Sequence, residues 1–223
     1  MDGDARMAPA ERQAVVKFLD ESAALLPPSL VAGLKKPVSV RFEKLEGPAD
    51  RFLIPPEPGK NPDELQSLGE PRIHSGSPAG HDIVLNQVLL KEILNGPDKS
   101  ARFNWGHKSG FATARATVLH EAVHVSERQS GNVIARDNQF RELAGWDPAG
   151  RFLAPRKPVQ ALEAGSKALE QSPDNDEYKN PMESLAINME YFLMDPEFAC
   201  RRPTMQEYFV ARFKFDPFPK RSC

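Results

Sequence analysis

Residues 115–131 read RATVLHEAVHVSERQSG. His120 and His124 stand four apart, Glu121 follows the first histidine, and no breaker interrupts the run before Gly131. The wider segment 109–128 reads as the strongest helix of the chain, with Ser109 as its cap. On an α-helix, residues i and i+4 lie about 6 Å apart along the axis and about 40° apart around it. Both imidazoles then point the same way and can reach one metal ion at about 2.0–2.1 Å. Glu121 is displaced around the helix, too far to share the ion easily and near enough to hold a metal-bound water. The pattern fits two histidine ligands, a third ligand from elsewhere and a glutamate as general base. The plainer alternative is two hydrogen-bonded histidines on an amphipathic helix.

The rest of the helix predicts a cleft-facing stripe of Thr113, Thr117, His120, His124 and Glu127. Ala114, Val118, Ala122 and Val125 would form its apolar face. The third ligand is not in this segment. A glycine three residues after His124 and a histidine six after it would mark one branch of such sites. Those positions hold Glu127 and Ser130, so that branch is excluded.

A second helix, opened by Asn180-Pro181 and running to Met194, carries Glu183 and Glu190 among apolar residues. Seven residues apart, the two acids share a face. A carboxylate beside a core needs a reason, because burying it unpaired is costly. Glu183 as a metal ligand supplies one, with Glu190 orienting a ligating imidazole. Glu183 also sits where it could complete a capping box with Asn180, and Glu190 could be a solvated acid. His74, His81 and His107 are fallback ligands.

Around these two helices the chain reads as α+β and mainly helical, one domain over residues 1–223 with a small sheet. A first helix spans 9–26, traced by Val15, Phe18, Leu19, Ser22 and Leu26 and stopped by Pro27-Pro28. The stretch 37–45 alternates as a half-buried strand, and 81–86 is a second strand that leads into a helix ending at Asn95-Gly96-Pro97. Residues 46–80 read as a long surface loop with one short helical turn. A short helix covers 137–146, 147–179 is mostly irregular with a helix at 159–170, and a last helix covers 203–213. The strand at Asp82–Asn86 could pair with an extended substrate if its edge were exposed, or lie inside the sheet.

The 223 residues are 40% hydrophobic and carry a net charge of −2. That balance leaves no basic excess for a phosphate backbone, so nucleic acid is not an expected partner. No apolar run approaches the ~20 residues that span a bilayer. MDGDARMAPAERQ at the N-terminus lacks the pattern of a signal peptide, which suits a cytosolic chain or one whose export signal lies outside this sequence. Cys200 and Cys223 are either separate thiols or a disulfide worth about 3 kcal/mol by loop entropy.

The His120–His124 pair with a later glutamate on a helix resembles the gluzincin clan of zinc metallopeptidases. DEYKNPMES, with Tyr178 shortly before Glu183, is similar to the catalytic region of lethal-factor-like peptidases. There a tyrosine near the ligand glutamate helps stabilise the transition state. A broader resemblance runs through LPPSLVAGL, PVSVRF, VLHEAVHV, DNQFRELAGW, SPDNDEY and NPMESLAINMEYFLMDPEFACRRP. Together they look like a little-characterised domain of Gram-negative cell-envelope proteins, regarded as a zinc metallopeptidase.

The resemblance implies a zincin-like fold, a periplasmic or cell-envelope location and a second periplasmic domain in the full-length protein. A Cys200–Cys223 bridge would fit export. The implied activity is zinc-dependent hydrolysis of a protein or peptide. In it His120, His124 and Glu183 bind Zn2+, Glu121 activates the zinc-bound water and Tyr178 donates to the oxyanion. Two rivals are a non-catalytic zinc-binding envelope module and a zinc hydrolase acting on peptidoglycan peptides. Arg201 and Arg202 are read as structural, pairing with Asp195, Glu197 or helix-end carbonyls.

Overall fold

The computed structural model describes residues 7–43, 76–79, 82–97, 103–104, 107–108, 110–152, 177 and 179–219. Its architecture is α+β and mainly helical. The helices are α1 (Pro9–Ala23), α2 (Pro28–Ala32), α3 (Gln87–Asn95), α4 (Gly110–Ser130), α5 (Asn138–Ala144), α6 (Pro181–Met194), α7 (Phe198–Arg201) and α8 (Pro203–Phe213). The strands are β1 (Val40–Glu43), β2 (Gly76–Ala79), β3 (Asp82–Asn86), β4 (Phe103–Asn104) and β5 (His107–Lys108).

Three strands form a sheet in the order β1-β3-β2, with β1 parallel and β2 antiparallel to β3. Strand β3 is therefore internal. Both its edges are occupied, which overturns the reading of Asp82–Asn86 as an open edge for a substrate. Burial explains the position: Ile83, Val84 and Leu85 are all buried, as a strand covered on both faces requires. Asn86 ends the strand and caps α3 by accepting from Val88 N at 3.2 Å. Gly96, at φ +75°, closes α3 in a backbone conformation that a side chain would strain.

The 21-residue helix α4 lies between two cores. Ala114, Val118 and Val125 pack with Val15 and Phe18 of α1, Ile83 and Leu85 of β3, and Leu89 and Ile93 of α3. Leu119 and Val123 enter the other core, with Phe140 of α5, Leu185, Ile187, Met189 and Phe192 of α6, and Phe209 of α8. A helix buried on two sides shows a weak amphipathic pattern, because apolar residues occur nearly all round it. The single apolar face expected for α4 is thus corrected to two.

The sheet and helices differ from the sequence reading at several short elements. The predicted helix 9–26 ends at Ala23, and Pro28 then opens α2, a use of proline at the first helical turn. Strand β2 falls within the stretch read as loop, and β4, β5 and α7 were not expected. Helix 159–170, most of the loop at 46–80 and the cap Ser109 lie outside the described residues.

Candidate metal centre

Helices α4 and α6 face each other and carry the site. On α6, Asn180 caps the first turn, its side chain accepting from Met182 N at 2.9 Å and Glu183 N at 3.0 Å. Glu183 gives the cap its backbone N–H and turns its carboxylate to the histidines. Glu183 Oε2 lies 3.2 Å from His120 Nε2 and Oε1 lies 3.3 Å from His124 Nε2. The two imidazole nitrogens are 3.0 Å apart. Tetrahedral ligands about 2.0–2.1 Å from one ion stand about 3.3–3.4 Å from each other. The triangle of His120, His124 and Glu183 matches that spacing within a few tenths of an ångström.

The hydrogen bonding fixes which atoms face inward. His120 Nδ1 lies 2.6 Å from Glu190 Oε1. A carboxylate only accepts, so Nδ1 carries the proton and Nε2 is left to present its lone pair. That lone pair meets Glu183 and the second imidazole, a convergence of acceptors that needs a positive charge in its midst. A proton on Nε2 is one such charge. Burial draws His120 down, but the bonds to Glu183 and Glu190 outweigh it and push its pKa up to about 10. His124, pulled down chiefly by burial, stays neutral. For Glu183 burial works upward, yet the two histidines hold its carboxyl well below the usual range. A divalent cation would replace the shared proton, as the donor set allows.

Glu190 is 3% exposed. Its other oxygen, Oε2, is 2.5 Å from Lys108 Nζ of β5. Burial acts to raise its pKa, but Lys108 and then His120 bring it below the ordinary value. Glu121 differs. It is 5% exposed, and its Oε2 has no hydrogen-bond partner among the described residues. Burial, opposed by His120 and reinforced by Glu183 and Glu190, pushes its pKa up to about 7. The cluster of His120, His124 and Glu183 beside it could hold a cation, whose charge would bring this carboxyl down from that value.

Thr117 is buried and donates to Thr113 O at 2.9 Å, within α4. Glu127, expected on the cleft-facing stripe, is a correction. Its Oε2 accepts from Ile134 N and Ala135 N, both at 2.9 Å, and so ties down the turn after α4. Arg202 is also corrected. Its guanidinium pairs with Glu177, at 2.5 Å to Oε1 and 3.1 Å to Oε2, and donates to Asn188 Oδ1 at 2.6 Å. Arg201 pairs with Glu197 at 2.6 Å, as expected.

Tyr178, His74, His81 and Cys223 lie outside the described residues, and His107 enters only as backbone of β5. Cys200 is disulfide-bonded. Lys108 was not singled out by sequence. Nothing local marks a lysine in a two-residue strand as a partner of a glutamate 82 positions away.

One family model, described as Domain of unknown function (DUF7844), matches residues 125–222. The matched stretch is similar to that family over less than half of the chain. It includes Glu183 and Glu190 and begins just past His124. No curated protein and no solved structure matches.

Proposed function

We propose that the chain is a zinc-dependent peptide-bond hydrolase of zincin-like, gluzincin-type design. His120, His124 and Glu183 would hold the ion. The observation that carries this reading is the convergence of their three acceptor groups, with His120 Nδ1 already bonded to Glu190. Zinc, when bound, supplies a Lewis acid that polarises a carbonyl and lowers the pKa of water towards about 7.

The protein's own groups do the rest. Glu190 holds the His120 ring so that Nε2 faces the site. Glu121 accepts the proton of the attacking water at its unpartnered oxygen and delivers it to the leaving amine. Tyr178, four residues after Asp174 and five before Glu183, is assigned the oxyanion on its resemblance alone.

The substrate on this reading is a protein or peptide. The disulfide at Cys200 supports an oxidising compartment; the periplasm or cell envelope, and a second periplasmic domain in the full-length protein, are proposed on the resemblance. No helix among the described residues is long and apolar enough to cross a membrane.

Two measurements test the reading together. Metal analysis should find zinc in the purified protein and none in His120→Ala. Glu121→Gln should keep the zinc and lose about 10²–10⁴-fold in cleavage rate. A Glu121→Gln variant as fast as the wild type removes Glu121 as the base. Cleavage of cell-wall peptides but not proteins would move the substrate class to peptidoglycan. Bound zinc with cleavage of neither would favour a non-catalytic module.

A further inference from the structure

The contacts of Glu190 extend the site to a third element. Its two oxygens have different partners: Oε1 is 2.6 Å from His120 Nδ1 and Oε2 is 2.5 Å from Lys108 Nζ. A carboxylate this deeply buried is stable in place only when compensating charge and hydrogen bonds reach it. One imidazole cannot supply both.

The β4–β5 hairpin brings the lysine. Phe103 of β4 packs on Tyr191 of α6, ring centroids 4.8 Å apart. The Lys108 ammonium lies 5.4 Å from the centroid of the same ring. The hairpin is thereby seated on α6 at the residue next to Glu190. Lysine suits the position because its ammonium is a compact charge that can engage a single oxygen. An arginine fork would tend to take both, in competition with His120.

We propose that Lys108 is a positioning residue of the metal centre: it fixes the outer oxygen of Glu190 so that the inner one holds the His120 ring with Nε2 turned to Glu183 and His124. This rests on the metal-site reading above, and it makes the hairpin part of the site. Lys108 acts through Glu190 and has no assigned contact with a substrate.

Zinc affinity, measured by competition with a chromophoric chelator on the folded protein, tests it. Lys108→Met should weaken zinc binding about 10–100-fold, the range for losing an outer partner of a ligand. Lys108→Arg, which keeps the charge, should recover part of the loss. Lys108→Met/Glu190→Gln should bind no more weakly than Glu190→Gln alone, since the lysine acts only through that carboxylate. Full affinity in Lys108→Met, or losses that add in the double variant, would overturn the proposal. Lys108→Gln replaces Lys108→Met if the latter fails to fold, with the same expectation.

A second readout needs no metal. In the metal-free protein the His120 Nδ1 proton should give a downfield imidazole resonance that moves in Lys108→Met. If the wild type binds no zinc, the hydrolase reading and the metal-centre role of Lys108 fall together, and a moving resonance shows only that Lys108 holds the Glu190–His120 pair. If zinc binds and neither affinity nor resonance changes, Lys108 loses its role and the hydrolase reading survives.

Discussion

Helix α6 carries buried polar groups on two sides, and the two sides are balanced differently. On one, Asn188 Nδ2 donates to Glu177 Oε1 at 2.8 Å and to Ser184 O at 2.7 Å. Arg202 completes that cluster with a fork onto Glu177. Each carboxylate oxygen there meets a donor, and the charges cancel. On the other side, Glu183 and Glu190 face two imidazoles beside Glu121, and among the described residues one lysine is in salt-bridge contact with the group. Among the described residues acceptors outnumber donors there, and one carboxylate oxygen, Glu121 Oε2, has no hydrogen-bond partner. A group serving only the fold would be driven towards the first solution, because an uncompensated buried charge costs several kcal/mol. The second arrangement has the imbalance that a divalent cation and a proton in transit would relieve.

The contrast breaks most sharply if one partner of the balanced cluster is removed. Arg202→Met should cost about 3–5 kcal/mol by leaving Glu177 buried without its countercharge, read as a shift of the urea midpoint. Most of that should return in Arg202→Met/Glu177→Gln. On the proposed reading, the unbalanced cluster should respond instead to a divalent ion. Zinc at a hundred times its Kd should add about 2.7 kcal/mol to stability, and chelation should remove it. For a chain of this size each kcal/mol moves Tm by about 2–4 °C. A Tm indifferent to chelator would remove the cation from the comparison.

Between the two lies the cap. Asn180→Ala should cost about 1 kcal/mol by denaturation and also weaken zinc binding, because one of the two N–H groups it holds belongs to Glu183. A variant that loses stability but binds zinc unchanged would separate the cap from the site.

The smallest effect is expected at Glu127, whose pKa burial raises against the backbone N–H groups of Ala135 and Ile134. A carboxyl with a raised folded value takes up a proton on folding. Its contribution is present in full below the ordinary value of 4.5 and is lost as pH rises through the folded value. Glu127→Gln should therefore flatten the decline of Tm over that interval. An unchanged Tm profile between Glu127→Gln and wild type would show that this carboxyl is not held out of its ordinary range.

Much of the site is legible because its key relation is local. Two histidines and a glutamate within five residues fix their relative directions as soon as the segment is a helix. Glu183 is legible for another reason: an acid within an apolar helix has to be accounted for. Glu127 misled because helical spacing gives a side and not a neighbour; the turn after α4 folds back onto it. The missed strand β2 contains Gly76 and Pro78, poor strand formers, and is held by pairing with β3. Hairpin β4–β5 and helices α2 and α7 are too short to show a period.

The sequence by itself determined the long helices, the Asn180 cap and the paired imidazoles, since periodicity and capping act over a few residues. Tertiary structure alone decided that β3 lies inside the sheet, that Arg202 closes on Glu177, and that Lys108 reaches Glu190. Those are meetings of distant segments, set by which surfaces pack together, and no short-range pattern encodes them.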